Sequence, residues 1–483
     1  MPSVMRQQQE NDAAMRLGAS VLATSRAAHV VQLVLIGLGI SVVPLDSSVN
    51  IAFPDITGSF GLPISMIQWV IIAYVLTHAG LMLAFGRIGD IWSHRGVFRA
   101  GLLWSGVAFL LCAAAPSFGW LLAARVLQGI GAGLVLSCAP VLVTGLYPES
   151  RRSHAIGVFT LVYSLGAAFG PLIGGVIVAR WGWPAVFWFR APIAFVALAL
   201  WRGSPATAGR GTGERFDGAG AALLAAGLIS LLFAVNALPL LGAGNYRAVP
   251  AAAVAIASIA AFIWWEGRAP RPVVQIALFR DRGFALINLS NVLIYMTNFS
   301  IMLLVPYYFS RITTLPLPVA GAVLAMGSVG MVAASTPAGW LVARVGAGRV
   351  APAGALLVAA GLGWVGLWGT GTGAGTMVAA QLLQGIGVGL FQVASMEIVM
   401  GSMPPEQRGV AGSLVMLTRV IGVVTAASVL TIGFHAAQRG ATSGGAVASD
   451  AFLAGFHMVF RMVAGIAAAT GLIVAWSARR PAS

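Results

Sequence analysis

The chain contains no lysine. All 28 of its basic residues are arginine, set against 13 aspartates and glutamates in 483 residues. Charged residues of both signs make up only 8%, where a soluble domain carries about 25%. Hydrophobic residues make up 59%, and the mean hydropathy is +0.91. No soluble fold hides that much apolar surface, so the scarcity of charge excludes a soluble protein and points to an integral membrane protein. Cysteine is also scarce. Cys112 and Cys138 both lie in apolar runs and read as buried thiols, and the six histidines are scattered without zinc-ligand spacing. No Walker A sequence is present, so no ATP site is expected. These absences leave no expected metal and no expected cofactor. The formal charge of +15 would suit nucleic acid, but the arginines are spread over short loops between apolar segments. That placement fits the positive-inside bias better, and no nucleic-acid partner is expected.

What is present is a series of apolar stretches of about 20 residues, the length that spans a bilayer as a helix. They lie near 30–53, 66–86, 97–115, 120–143, 155–178, 184–201, 218–239, 248–265, 284–306, 318–343, 350–369, 376–400, 409–433 and 455–477, about 14 in all. Their length and Gly/Ala content favour helices over a barrel. The polar stretch through about His29, with Arg6, Arg16 and Arg26, lacks a short apolar core and a cleavage site, so it reads as a tail rather than a signal peptide. Loops on the side of that tail carry Arg87, Arg95, Arg99, Arg151, Arg152 and many more arginines, while opposite loops carry only Arg180, Arg247, Arg311 and Arg439. Both termini are therefore expected in the cytoplasm.

The chain repeats itself. Gln128-Gly129-Ile130-Gly131-Ala132-Gly133-Leu134 returns 256 residues later as Gln384-Gly385-Ile386-Gly387-Val388-Gly389-Leu390. Gly86-Arg87-Ile88-Gly89-Asp90 returns more weakly as Gly339-Trp340-Leu341-Val342-Ala343. Two motifs at nearly one offset indicate two related halves, a common transporter plan with the binding site between them. The expected layout is a tail at 1–29, a six-helix half at 30–202, and a linker with two extra helices at 203–270. A second six-helix half follows at 271–478, with a short tail at 479–483.

Asp46 sits inside the first apolar segment, in Pro44-Leu45-Asp46-Ser47-Ser48-Val49-Asn50-Ile51-Ala52-Phe53-Pro54. A charge at bilayer depth costs about 2.5–3.5 kcal/mol on insertion scales, and it is kept where it binds, moves or relays charge. A carboxylate in a partly dry cavity can exchange protons near neutral pH. The other reading is a structural Asp46 that caps or pairs with a neighbouring helix. Three further patterns stand out: Gly86-Arg87-Ile88-Gly89-Asp90 with His94 and Arg95; Arg125-Val126-Leu127-Gln128-Gly129; and Gly166-Ala167-Ala168-Phe169-Gly170-Pro171-Leu172-Ile173-Gly174-Gly175.

At these four places the chain resembles the major facilitator superfamily, and more closely its fourteen-helix drug:proton antiporter subfamily. The likeness runs from about residue 35 to 475. It implies an all-α membrane fold of two six-helix halves related by an internal repeat, with two extra central helices. It implies a proton-linked role for Asp46 and an arginine, Arg125, placed in the cavity. It implies a gating loop at Gly86, Arg87, Gly89, Asp90 and Arg95, and an exporter-type motif at Gly166, Gly170, Pro171, Gly174 and Gly175. Ile91 and Ser93 depart from the family's loop pattern, where a basic residue and Gly are usual. A solvated loop, a structural arginine and generic glycine packing are the alternatives for the last three motifs.

Other residues bear on substrate choice. Glu397, placed by the sequence deep in its segment, offers a second intramembrane carboxylate, or else a structural partner for Arg419. His78 shares a helix face with Tyr74 and could titrate or simply hold a hydrogen bond. Asn50, Trp69, Tyr74, Gln128, Phe391 and Gln392 are cavity candidates, and Trp364, Trp368 and Met326 could also line an apolar cavity. Arg190, in Phe189-Arg190-Ala191-Pro192, is expected near the outer face with no assigned role. The expectation that emerges is a monomeric antiporter of the bacterial inner membrane, exporting small amphipathic molecules against inward proton flow. Its rival is a dedicated exporter of one metabolite, lipid or biosynthetic product. A membrane enzyme would need a paired His and acid, or a nucleophile and base, at a membrane face, and no such set is visible.

Overall fold

The structure, a computed structural model, describes residues 31–146, 152–201, 219–230 in part, 248–268, 276–402 and 408–477. Among the described residues every regular element is a helix, and ten are long and apolar enough to cross a membrane. In chain order these elements are α1 Val31–Ile51, the short α2 Phe53–Ser59, α3 Ile64–Ile91, α4 His94–Ala113, α5 Phe118–Thr144, α6 Arg152–Trp181 and α7 Ala185–Leu200. After these come α8 Ala248–Glu266, α9 Arg282–Ile312, α10 Leu317–Val345, α11 Ala347–Val365, α12 Ala374–Gly401, α13 Arg408–Ser443 and α14 Ala448–Ser477. The second expected extra helix is α8. The first, near 218–239, lies largely outside the described residues, as do the two tails and most of the linker.

Local chemistry sets the helix ends. The Ser93 hydroxyl accepts from Gly96 N (3.3 Å) to cap α4, and Ser117 does the same for Trp120 N (3.3 Å) at α5. At α9 the Asp281 carboxylate accepts from Phe284 N at 2.6 Å. These side chains satisfy first-turn N–H groups that have no intrahelical partner. The turn from α10 to α11 is the single residue Gly346 with φ +88°, a backbone conformation that only glycine adopts without penalty.

Helix packing follows the glycine stripes. A Cβ added at Gly129 would stand 2.7 Å from Thr77 Cβ and 2.8 Å from the Tyr74 carbonyl, and one at Gly131 would collide with Ser105. Thus α5 wedges between α3 and α4 because those positions have no side chain. In the repeated motif Gly385 lies against the Gly327 backbone of α10, and a Cβ at Gly387 would stand 2.5 Å from Val358 N of α11. The same sequence therefore does the same work twice, giving close backbone approach where lipid supplies no hydrophobic drive. Outward faces carry apolar residues such as Leu103, Leu110, Ile256 and Leu472, which suits contact with lipid.

Helices α1–α7 and α9–α14 meet at one end. There the Tyr307 hydroxyl of α9 reaches the Phe53 carbonyl (3.3 Å) and the Thr57 hydroxyl (3.2 Å) of α2. Thr431 of α13 donates to Gln68 of α3 at 3.2 Å. A Cβ at Gly175, near the end of α6, would stand 2.5 Å from the Leu317 carbonyl at the start of α10. Beyond this seal a cavity separates the two groups of helices.

Candidate functional site: a buried carboxylate held by two arginines

Pro44 breaks α1. Its ring cannot donate a hydrogen bond, and the chain runs through a 3-10 turn, Pro44–Ser47, before resuming as Ser48–Ile51. Asp46 sits in that turn, with 13% of its side chain exposed. The break has a counterpart in α6. Pro171 leaves the Ala167 carbonyl without its usual helical donor, and the Ser47 hydroxyl donates to it at 3.0 Å. Gly170 packs directly on Ser47, a Cβ at Gly174 would stand 2.7 Å from the Ser48 carbonyl, and one at Gly166 would stand 2.7 Å from Pro44 Cγ. The motif Gly166–Gly175 is therefore the seat of the broken part of α1 on one side, and through Gly175 it touches α10 on the other.

Around Asp46 the structure gathers more charge than the sequence suggested. Arg125 of α5 binds it through two parallel contacts, Nη1 to Oδ1 at 2.6 Å and Nη2 to Oδ2 at 2.9 Å. Arg190 of α7 donates Nη1 to the same Oδ1 at 2.7 Å, and Gln128 Nε2 donates to it at 2.8 Å. Arg125 also donates Nε to the Val70 carbonyl (2.8 Å) and Nη1 to Gln128 Oε1 (2.9 Å). Arg190 gives Nε to the Val186 carbonyl at 2.9 Å, while its Nη2 has no partner among the described residues. Aromatic faces complete the shell. Arg125 lies 4.5 Å from the Tyr74 ring centre and Arg190 lies 4.5 Å from that of Phe109. The two guanidiniums are 1% and 0% exposed. Two buried cations thus share one anion, and the expected dry pocket around Asp46 is in fact a charged one.

Arg190 corrects an expectation. It is not near an outer face. The chain turns in at Gly182, and the four-residue helix Ala185–Trp188 carries it inward before Arg190 opens the rest of α7. The signal was in the sequence: an ionisable residue in an apolar run, as at Asp46.

The Asp46 cluster forms part of the wall of a cavity of about 410 Å³, within the range of small-molecule sites. Asn50, Tyr74, His78 and Gln392 line it, as do Arg125 and Pro171. His78 Nδ1 faces the Tyr74 carbonyl at 3.2 Å, so in one tautomer it donates there. Gln128 stands behind the wall as a support for Asp46. Trp69 and Phe391 do not line the cavity; Phe391 is buried in the packing of the helices. Trp364 is exposed on the outside. Trp368 packs against Tyr308 and stacks with Phe456, and Leu324, Gly327, Ser328 and Met331 occupy the stretch of wall expected of Met326.

Glu397 is not deep. It lies one turn before the end of α12, is exposed, and is absent from the cavity wall. Nor does Arg419 turn toward it. Arg419 lines the cavity, donates to Tyr163 and lies 5.9 Å from the Tyr295 ring centre. In the loop motif Gly89 packs close to His94 and Cys138, and Gly86 is half-buried, as is Arg95. The side chains of Arg87 and Asp90 lie outside the described residues.

The Major Facilitator Superfamily model matches the chain twice, over residues 33–288 and 287–483. The multidrug resistance protein Stp of Mycobacterium tuberculosis is 28% identical over 404 residues, which cover 83% of this chain and 74% of that protein. The tetracenomycin C resistance and export protein of Streptomyces glaucescens is 29% identical over 409 residues, covering 83% and 75%. The riboflavin transporter RibZ of Clostridioides difficile is 26% identical over 392 residues, covering 80% and 84%. In fold the chain is similar to the POT family transporter PepTSo, with TM-score 0.68 at 15% identity over 93% of this chain and 97% of that one. It is also similar to a bacterial homologue of the human lysosomal transporter Spinster, solved inward-facing and unoccupied, with TM-score 0.67 at 15% identity over 95% and 99%. With family matches that take in nearly every described residue, the chain belongs to the Major Facilitator Superfamily and is a multi-pass membrane transporter, not an enzyme.

Proposed function

We propose that this transporter exports small amphipathic compounds, such as drugs or antibiotics, in exchange for protons entering across the bacterial inner membrane. The observation that carries the reading is Asp46, a titratable carboxylate at the wall of the central cavity and on the broken part of α1. Relatives named for multidrug resistance and for antibiotic export support the direction and the kind of cargo. In this reading the molecule works as a monomer, both termini are cytoplasmic, and the seal at Tyr307, Gln68 and Gly175 closes the outer side. The two helical halves rock about the cavity.

A proton on Asp46 removes the negative charge that Arg125 and Arg190 share. The cluster then holds two guanidiniums with no counter-ion, and the arrangement that best separates or rehydrates them is favoured. Proton and cargo need not touch; each need only favour a different conformation. The seating of α1 on the Gly166–Gly175 stripe gives that change a mechanical route to α10.

The test is gradient-driven uptake of a panel of lipophilic cations, acids and neutral drugs into everted vesicles, with wild type and Asp46→Asn compared. The expected result is uptake that needs the proton gradient and is lost in the variant. Wild-type uptake that persists after the gradient is collapsed would overturn the antiport. A relative named as a riboflavin transporter favours a second reading, a dedicated exporter of one metabolite. Uptake restricted to a single compound class would select it.

A further inference from the structure

We propose that the cargo of this cavity is an amphipathic anion, its acidic group held at Arg419 and its apolar body against the apolar residues of the wall. This rests on the exporter reading above and names its substrate class.

The first support is the charge count. Among the described residues that line the cavity, Asp46 is the only acid, while Arg125 and Arg419 are both cationic. Arg190 adds a third guanidinium behind Asp46. Three positive charges against one negative leave the site with an excess of two. The acid is moreover fully engaged: Oδ1 accepts from Arg125, Arg190 and Gln128, and Oδ2 accepts from Arg125. A cationic cargo would find no free carboxylate there and would meet three like charges. Glu397, the other acid the sequence offered, is exposed and outside the wall.

The second support is Arg419 itself. Its described partners are phenols, the Tyr163 hydroxyl and the Tyr295 ring, and neither carries a compensating charge. The Tyr295 hydroxyl is in turn held by Gln392 Nε2 at 3.2 Å. A guanidinium in such a setting is matched in charge and geometry by a carboxylate, sulfonate or phosphate, which can accept two parallel N–H bonds.

The third support is Gln381. It occupies the place of Arg125 in the internal repeat, is fully buried, lines the cavity, and has both side-chain polar atoms without a partner among the described residues. A buried amide left unpaired is costly, and one at a cavity wall is relieved by a ligand. Much of the remaining wall is apolar, with Phe53, Ile71, Phe299, Met302, Leu324 and Val388. Polar anchors beside apolar wall residues describe an amphipathic acid.

The experiment uses three molecules with one apolar body: pyrenebutyrate, its uncharged amide, and pyrenylbutylammonium. Equilibrium binding to the purified full chain is measured in phosphatidylcholine nanodiscs, which hold no anionic headgroup, with empty discs subtracted. The acid is expected to bind about tenfold or more tighter than either analogue, and Arg419→Gln to bring it down to the level of the amide. Gln381→Leu, which changes no charge, weakens the acid but keeps it ahead of the ammonium. If Arg419→Gln does not fold, the wild-type ranking and Gln381→Leu decide. Equal binding of the three, preference for the ammonium, or no binding of any overturns the proposal. Vesicle uptake separates this from the exporter reading. If cations or neutral drugs are exported under a gradient and acids are not, the exporter stands and the anion falls. If the acid binds through Arg419 and no gradient moves it, the anion stands and the antiport falls.

Discussion

One acid between two arginines predicts an unequal response to removing each member. With Asp46 present the cluster carries one net positive charge, since the side chains of Arg125 and Arg190 both pair with it. Arg190→Gln leaves the two-point Arg125–Asp46 pair, which is neutral and keeps its contacts to Val70 and Gln128. It loses a single 2.7 Å contact and relieves the repulsion between the guanidiniums, so a cost of about 1–2 kcal/mol is expected. Asp46→Asn instead leaves two buried cations uncompensated. Each lost attraction is on the order of 4 kcal/mol at 4 Å with an effective dielectric of 20, and breaking a buried pair costs about 3–5 kcal/mol. Adding Arg190→Gln to Asp46→Asn removes one of the stranded cations, so the double variant should recover about 1–3 kcal/mol relative to Asp46→Asn alone. Cys112 and Cys138 are buried and form no disulfide, so a thiol-reactive fluorophore reports thermal unfolding in detergent without an added label. The expected order of apparent Tm is wild type, Arg190→Gln, the double variant, then Asp46→Asn. A double variant less stable than Asp46→Asn, or an Arg190→Gln as damaged as Asp46→Asn, would refute the shared-anion account.

Two further outcomes follow from the same geometry. Gly170→Val places carbon onto Ser47 and 3.0 Å from Ser48 N and should cost about 1–3 kcal/mol in apparent stability as well as transport. Gly465→Val, with nothing within 4 Å, is the control and should leave both unchanged. Glu397→Gln should keep gradient-driven uptake within about twofold of wild type, as exposed substitutions usually do; its loss would return Glu397 to the proton path.

Much of the fold was legible because membrane helices are written as uniform apolar runs, and the repeat around Gly129 and Gly385 announced two matching helix wedges. Asp46 and Arg125 were legible for a related reason: a charge in such a run is conspicuous. Their pairing was less so, because it depends on how far each helix advances before presenting its side chain. Arg190 shows the difficulty, since the turn at Gly182 and the short helix Ala185–Trp188 after it carry it to Asp46. Glu397 erred in the opposite sense, because its apolar run continues almost to the helix end at Gly401 and conceals how close that end is. Side-chain direction around a helix also separated Tyr74 and His78, which face the cavity, from Trp69, which does not.

An anionic cargo constrains how the proton is coupled. Protonating Asp46 raises the positive excess of the cavity, so within one conformation proton and anion favour each other's binding. Direct competition, the simplest basis for antiport, is therefore closed to this site. Exchange requires that the protonated cluster prefer the conformation from which the anion has already left. Export of an anion is also aided by an inside-negative potential, by about 2.3 kcal/mol per charge at 100 mV. Asp46→Asn, which fixes the cluster without its negative charge, should then hold the protein in the conformation that has released the anion, binding pyrenebutyrate more weakly than wild type in nanodiscs and failing to move it under a gradient in vesicles. Tighter binding in Asp46→Asn, in protein shown by the thiol assay to be folded, would mean that the charge effect within one conformation prevails, and the conformational account of coupling would fall.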